Sequence, residues 1–281
     1  MCHCPAHDDG SPSLSVRIGQ RNLLFKCFAG CETPAILRAL ARLDPVPLSA
    51  APRDTGSKPA SVRWVRDRVH QLWGDARPVR GTPAEAYLVG RAIATNSDAL
   101  RYHPRTPVRQ DGVLMFRPAL LCAVQACNDI VALQRMFLDI RHGGLASDLG
   151  GPRRMFGRPG RGAVRLAEPT DSLGLAEGVE TAMAAMTMLG IPVWATLGAE
   201  RLARIDIPRR VRRLILLPDN DAPGRAALTS ARTAYAAAHR RIETILPPGQ
   251  AKDWNDLLQA RAGAPAGTAE GEGEGRLRRG V

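Results

Sequence analysis

Apolar and polar positions alternate differently along the chain and divide it into stretches. In residues 166–262 short apolar runs alternate with longer segments of helical period. "SLGLAEG" reads as a strand leading into a helix, "ETAMAAMTMLG". "PVWATLG" is a second strand, followed by a short helix, "AERLARI". "RRLILLPD" is a third, followed by a long helix, "GRAALTSARTAYAAAHRR". "IETILPP" is a fourth, and "DWNDLLQARAG" opens a last helix. Strands separated by helices pair in parallel, so this pattern predicts a parallel sheet with helices on its faces.

The preceding stretch, 63–165, reads as mixed α+β. "VRWVRDRVHQLWGDA" has helical spacing, with Val62, Val65, Val69, Leu72 and Trp73 on one face. "PALLCAVQ" and "IVALQRMFL" read as two strands joined by a polar turn at Cys127, Asn128 and Asp129. Cys122 falls inside the first of them and Cys127 where the turn begins, both as packing or tolerated residues. Residues 44–62, "DPVPLSAAPRDTGSKPASV", lack apolar periodicity and read as a flexible linker. Residues 263–281 are of low complexity and read as a disordered tail. Residues 1–43 form a small Cys/His-rich unit. Within it "SLSVRIGQRNLLFKC" reads as a β-hairpin turning near Gly19 to Asn22.

Composition sharpens this picture. The 281 residues are 44% hydrophobic but only 4% aromatic, so Ala, Leu, Val and Ile must build the cores. No apolar run approaches the roughly 18 residues of a membrane span, so no membrane partner is expected. The start, "MCHCPAHDDG", resembles neither a signal nor a transit peptide, and a cytoplasmic location is expected. The formal net charge of +12 favours a polyanionic partner, most commonly nucleic acid. Lysine stands only at Lys26, Lys58 and Lys252, so the positive charge is nearly all arginine. A composition rich in Ala and Arg can also come from GC-rich coding, and charge alone does not decide.

Acids collect where the predicted strands end. The first strand ends at Glu177 and the third at Asp219 and Asp221; Asp253 and Asp256 follow the fourth. Ligands of open parallel sheets bind at the C-terminal ends of the strands. Two carboxylates two residues apart repel each other, more so when buried. A hard divalent cation between them removes that conflict, and Mg²⁺ takes few protein oxygens and completes its shell with water and phosphate. Each acid could instead cap the helix that follows it; their shared placement at matching strand ends favours the cation. Gly178 and Gly224 let backbone approach closely beside the first two groups.

Cys4-x2-His7 and Cys27-x3-Cys31 are two ligand pairs that a hairpin brings together, as a tetrahedral structural Zn²⁺ site requires. Oxidised or free thiols are the rival reading, and Cys2 and His3 are substitute ligands. His70, His103, His142 and His239 have no ligand-like neighbours.

The segments "LGLAEGVETAMAA", "WATLGAERL", "LILLPDNDAPGRAA" and "LPPGQAKDWNDLL" together resemble a Toprim domain, the α/β catalytic domain shared by bacterial replicative primases, type IA and II topoisomerases and some nucleases. The resemblance implies Glu177 as general acid/base and Asp219 and Asp221 as Mg²⁺ ligands. In the third acidic motif Asp253 matches the first acid, and the second is Asn255 or Asp256. "CPAHDDGSPSLSV" and "KCFAGC" are similar to the N-terminal zinc-binding domain of the same primases. The second pair departs from the replicative enzymes in its x3 spacing, and the chain begins close to the first ligand. "ALLCAVQACNDIVALQRMFLD" followed by "PRRMFGRPGRGAVRL" resembles the basic lead-in to Toprim in primases, which makes Arg135, Arg153, Arg154, Arg158 and Arg161 candidates for template or nucleotide phosphates.

Zinc unit first and Toprim later is primase order, and the whole chain looks like the short Toprim primase-like proteins of phages, plasmids and integrated elements. The expected fold is therefore α/β, a Toprim parallel sheet with helices on both faces, preceded by a small β-rich zinc ribbon and a mixed α+β region. The implied activity is a nucleotidyltransferase making short RNA primers on single-stranded DNA from NTPs, with structural Zn²⁺ and catalytic Mg²⁺, or Mn²⁺ in its place. No G-x-x-x-x-G-K-[ST] stretch is present, so a replicative helicase would be a separate chain. A Toprim nuclease and a non-catalytic DNA-binding or regulatory protein of a mobile element are the alternatives.

Overall fold

The computed structural model describes residues 2–18, 23–40, 60–94 and 97–263. The hairpin turn at Gly19 to Asn22, most of the expected linker and the expected tail beyond residue 263 lie outside the described residues. The chain divides into two units, Met1–Ser57 and Lys58–Val281.

In the first unit β1 (Leu14–Ile18) pairs antiparallel with β2 (Leu23–Cys27), with Leu14 opposite Cys27. Helix α1 (Thr33–Leu40) follows and buries Ile36. The core is formed by Cys4, Leu14, Cys27 and Ile36. So small an apolar core cannot by itself offset the chain entropy of ordering this unit.

The second unit starts with α2 (Ala60–Gly74), β3 (Arg77–Pro78) and α3 (Pro83–Gly90). Four strands follow, β4 (Leu100–Gln110), β5 (Val113–Ala126), β6 (Asp129–Asp139) and β7 (Gly144–Leu145). Next come β8 (Arg153–Gly157), β9 (Ala163–Arg165), β10 (Ser172–Ala176), α4 (Val179–Leu189) and β11 (Val193–Ala195). The chain goes on through β12 (Arg213–Leu217), α5 (Ala222–Tyr235), β13 (Arg241–Thr244) and α6 (Trp254–Gly263). The described residues contain no helix long and apolar enough to cross a membrane.

These strands form one mixed sheet in the order β13-β12-β10-β11-β9-β5-β4-β3, with β6 also pairing β5, β7 and β8. Strands β13, β12, β10 and β11 are parallel. Strand β9 runs antiparallel to both β11 and β5 and so joins the parallel half to the upstream half. Strands β10 and β12 are apolar almost throughout because both faces are covered. Helices α4 and α6 pack on one face, through Val179, Ala182 and Trp254. Helix α5 packs on the other, through Ala231 and Tyr235. Helix α2 lays Val69 and Leu72 on the upstream half, against Ala119, Leu121 and Phe137.

Several elements differ from expectation. "AERLARI" makes only a 3-10 turn, Ala199–Arg201. Arg201 turns inward there and donates to the carbonyls of Thr196, Gly160 and Gly162, which fastens the turn to the segment before β9. Helix α5 stops at Tyr235, short of the expected end. The apolar stripe runs out there, and the Tyr235 hydroxyl is held by Leu202 O and Ile205 N–H. Strand β4, "LRYHPRTPVRQ", contains two prolines and is not evident as a strand. A register shift between His103 and Thr106 accommodates Pro104. Cys122 is fully buried within β5 and Cys127 has φ 52° in the turn that follows that strand.

Candidate active site and metal centres

The C-terminal ends of β10 and β12 bring the first acids together. Glu177 follows β10 directly, and its Oε1 accepts from the Asp219 N–H at 3.4 Å. The loop after β12 carries Asp219, Asn220 and Asp221. The Asn220 N–H donates to Lys252 O at 2.7 Å, which ties this loop to the one bearing Asp253. Asp253 lies close enough for its charge to act on Asp219. Gly224 sits beneath: a Cβ there would meet the carbonyl oxygen of Asp219, and Glu177 Oε1 at 2.9 Å. The close approach requires glycine at this position.

Electrostatics mark this as a site of unbalanced negative charge. Burial, and then the charges of Glu177, Asp253 and Asp221, push the Asp219 carboxyl up to about 7, and Lys252 only partly opposes them. Burial also raises Glu177, helped by Asp221 and by Glu200 on the 3-10 turn, against the Asp219 N–H. The Oδ1 atom of Asp219 is buried without a hydrogen-bond partner. Buried polar atoms are nearly always satisfied, and a cation between these carboxylates would satisfy this one. The donor set is all oxygen, which suits Mg²⁺ or Mn²⁺.

Both readings of the loop acids meet at Asp221. One of its oxygens, Oδ1, accepts from the Gly224 N–H at 2.8 Å and caps α5. A single capping bond leaves a carboxylate with acceptor capacity to spare. Asp253 likewise caps α6, accepting at Oδ1 from the N–H groups of Asn255 and Asp256. Asn255 is fully buried and its amide donates to Arg91 O at 2.9 Å, whereas Asp256 is exposed. Glu200 and Lys252 are charged neighbours that strand patterning does not reveal, because both lie on irregular connections.

A second acid, Glu180, is buried in the first turn of α4. Its Oε1 accepts from the Tyr87 hydroxyl at 2.7 Å and pairs with Arg153. Arg153, itself exposed, is therefore paired with a buried carboxylate. Arg161 pairs with Asp206, and Arg158 is exposed. Arg135 and Arg154 lie on the other face of the upstream half. Arg135 Nη1 donates to Pro107 O at 2.7 Å and Arg154 Nη1 to Arg109 O at 2.5 Å. The five candidate arginines thus do not converge on one surface.

In the first unit Cys4, His7, Cys27 and Cys31 place their ligand atoms within 4.8 Å of one another. Tetrahedral zinc at about 2.3 Å from sulfur sets ligand atoms about 3.8 Å apart. His7 Nδ1 lies 3.2 Å from Cys31 Sγ and 3.9 Å from Cys27 Sγ. Burial opposes ionisation of Cys27, but the Cys31 N–H, the Ser13 hydroxyl and the Ala29 N–H outweigh it and bring the thiol to about 6. Cys31 is driven up to about 11 by burial and by its neighbours Cys27 and Cys4. A metal cation relieves that mutual repulsion, so these residues fit zinc.

Asp9 orients this site and has no counterpart in the motif reading. Its Oδ2 accepts from the N–H of Cys4 at 2.5 Å and from the Ser13 hydroxyl at 2.8 Å. Its Oδ1 lies 3.4 Å from His7 Nε2, which leaves Nδ1 toward the thiols. Cys2 and His3 are engaged with Leu14 O and Asp9 O instead.

Residues 172–264 match the Toprim domain family, and residues 63–166 match a family described as a domain of unknown function, DUF7146. No curated protein matches the chain. Among solved structures, the DnaG primase catalytic domain bound to ssDNA aligns at TM-score 0.53 and 16% identity, over 72% of this chain and 78% of that one. A DNA primase domain from Pseudomonas aeruginosa aligns at TM-score 0.50 and 16% identity, over 70% and 74%. The zinc-binding and RNA polymerase domains of the Aquifex aeolicus primase align at TM-score 0.50 and 16% identity, over 92% and 74%. The chain carries a Toprim domain and has the fold of the DNA primase core.

Proposed function

We propose that this Toprim, primase-like chain is a nucleotidyltransferase that makes short RNA primers on single-stranded DNA. The observation that carries the reading is the buried, unpartnered Oδ1 of Asp219 among Glu177, Asp221 and Asp253. In the reaction the 3′-hydroxyl of one nucleotide attacks the α-phosphate of an NTP and pyrophosphate leaves. Asp219 and Asp221 would hold Mg²⁺, or Mn²⁺, with Asp253 contributing to the same site. When bound, the ion neutralises charge on the triphosphate and the leaving group. Glu177, its affinity for a proton raised by burial, accepts the hydroxyl proton. Cys4, His7, Cys27 and Cys31 would hold structural Zn²⁺ and shape the first unit for contact with template. A separate helicase chain would deliver that template, in the cytoplasm of a cell carrying a phage, plasmid or integrated element.

The test is de novo synthesis on single-stranded DNA with labelled NTPs and Mg²⁺ or Mn²⁺, wild type against Asp219→Ala. Short products from wild type alone are expected. Degradation of the template that disappears in the variant would assign the same site to a nuclease. DNA binding with no product would leave a regulatory protein.

A further inference from the structure

We propose that the loops entering β12 and β13, at the end of the Toprim sheet opposite the carboxylates, form a second DNA-docking surface whose arginines grip the phosphate backbone. The inference goes beyond the reading above and rests on it only for the identity of the polyanion as DNA.

Geometry is the first argument. Residues 208–212 lead into β12 and residues 237–240 into β13. The N–H groups of Arg212 and Arg213 donate to Asp171 O at 2.8 and 2.9 Å, and the Arg241 N–H donates to Arg212 O at 2.7 Å. Arg240 Nε donates to Val211 O at 3.3 Å. These bonds lace the entry loops together and gather Arg209, Arg210, Arg212, Arg213, Arg240 and Arg241 at one end of the sheet. Strand β12 is five residues long, so this end lies about 17 Å from the Asp219 loop.

Charge is the second. Arg213 forks onto Glu243, Nε to Oε1 at 3.1 Å and Nη2 to Oε2 at 3.0 Å, and Arg241 Nε reaches the same Oε1 at 3.1 Å. Glu243 is buried, whereas the side chains of Arg213 and Arg241 stay 37% and 69% exposed. One carboxylate thus orients two guanidinium groups and leaves both open to a further anion. Arg240 is held by a carbonyl, which takes none of its charge. Arg210 pairs with Glu168 at 2.8 Å, but both are exposed, and such a pair yields readily to a phosphate. Arg209 and Arg212 are exposed and make no ion pair among the described residues. The remaining acid, Asp171, accepts from the hydroxyls of Thr170 and Ser172.

The surroundings identify the partner. Residues 208–213 and 237–241 contain no Phe, Tyr or Trp on which a base could stack. Val211 is buried, so these loops offer no apolar wedge to a lipid surface. Arginines without rings or wedges read phosphate oxygens by charge and paired hydrogen bonds, independently of sequence. A strand held here and at the carboxylate end is held twice, and the second contact raises the effective concentration at the first.

The test uses the full chain and fluorescently labelled oligo-dT, titrated by anisotropy at several salt concentrations. Arg209→Ala combined with Arg212→Ala weakens binding and lowers the slope of log K against log salt by about 1.4. Arg209→Lys combined with Arg212→Lys restores the slope, since a phosphate contact needs the charge. Both positions are exposed, so the variants keep the wild-type Tm. Unchanged affinity and slope in the alanine variant overturn the proposal. So does binding to phosphatidylserine vesicles that the alanine variant loses while its DNA binding is intact, which would mean a membrane face. Normal DNA binding by the variant beside active primer synthesis rejects the docking surface alone. A lowered slope where wild type makes no primer rejects the primase reading alone.

Discussion

The hydroxyl of Tyr87 on α3 donates to Oε1 of Glu180 on α4 at 2.7 Å, and Arg153 on β8 reaches the same oxygen. One buried carboxylate thus fastens three elements just behind Glu177. Burial alone would raise Glu180, but the charge of Arg153 and the two hydrogen bonds hold it below the usual range. Tyr87→Phe removes one bond to a charged group and should cost about 1.5–3 kcal/mol in urea denaturation. Arg153→Ala should cost more, since it leaves a buried charge without its ion pair. The folded value lies below the unfolded one, so this stabilisation is complete above about pH 4.5 and is lost as pH falls through the folded value.

Asp219 has the opposite sign. Its folded value of about 7 lies above the ordinary 3.8, so the folded protein holds the extra proton between them. Stability of the metal-free chain should therefore fall as pH rises across that window. Mg²⁺ must displace the proton, so its stabilising shift in Tm should be larger near pH 8 than near pH 6. Asp219→Asn should abolish both effects, and equal Mg²⁺ shifts at the two pH values would refute the assignment.

Gly224→Ala inserts a methyl group against Asp219 and Glu177 Oε1. Overpacking of this kind costs about 1–3 kcal/mol. Chemical denaturation should show that loss, and calorimetry should show weakened Mg²⁺ binding. Gly263→Ala, where nothing lies within 4 Å, is the control.

Asp9→Ala frees the N–H of Cys4 and unseats His7. Orienting partners of metal ligands are typically worth about 10–100-fold in affinity. Competition against a chromophoric zinc chelator should show a loss of that size, with the four ligands intact.

Glu177, Asp219 and Asp221 are legible in the sequence because each ends an apolar strand, and strand ends are where a parallel sheet offers its ligands. The cluster of Cys4, His7, Cys27 and Cys31 is legible because its spacing brackets a hairpin. Glu180 is not, since a charge within a helical repeat reads as solvent-facing until Tyr87 and Arg153 arrive from distant elements. Strand β4 is hidden by Pro104 and Pro107, which only a register shift and pairing with β5 make tolerable. Arg201 looks like any surface arginine, and its three carbonyl partners come from loops that no periodicity describes. Asp9 is hidden for the same reason, because its value depends on which backbone N–H groups the loop turns toward it.

Strand β9 holds the two halves of the large unit side by side with only three residues, through main-chain bonds to β5 and β11. Such a seam recognises geometry rather than side-chain identity. A Toprim half from a distant lineage could pair with this strand through its main chain, but it would also have to fit the apolar core that α4 shares with the upstream half. The lock lies elsewhere: a donor half with apolar chemistry at Glu180 would strand Arg153, and a recipient without Tyr87 would leave the carboxylate short of a donor. The halves thus join by main-chain bonds along their shared edge and are coupled through buried side chains, among them the carboxylate of Glu180.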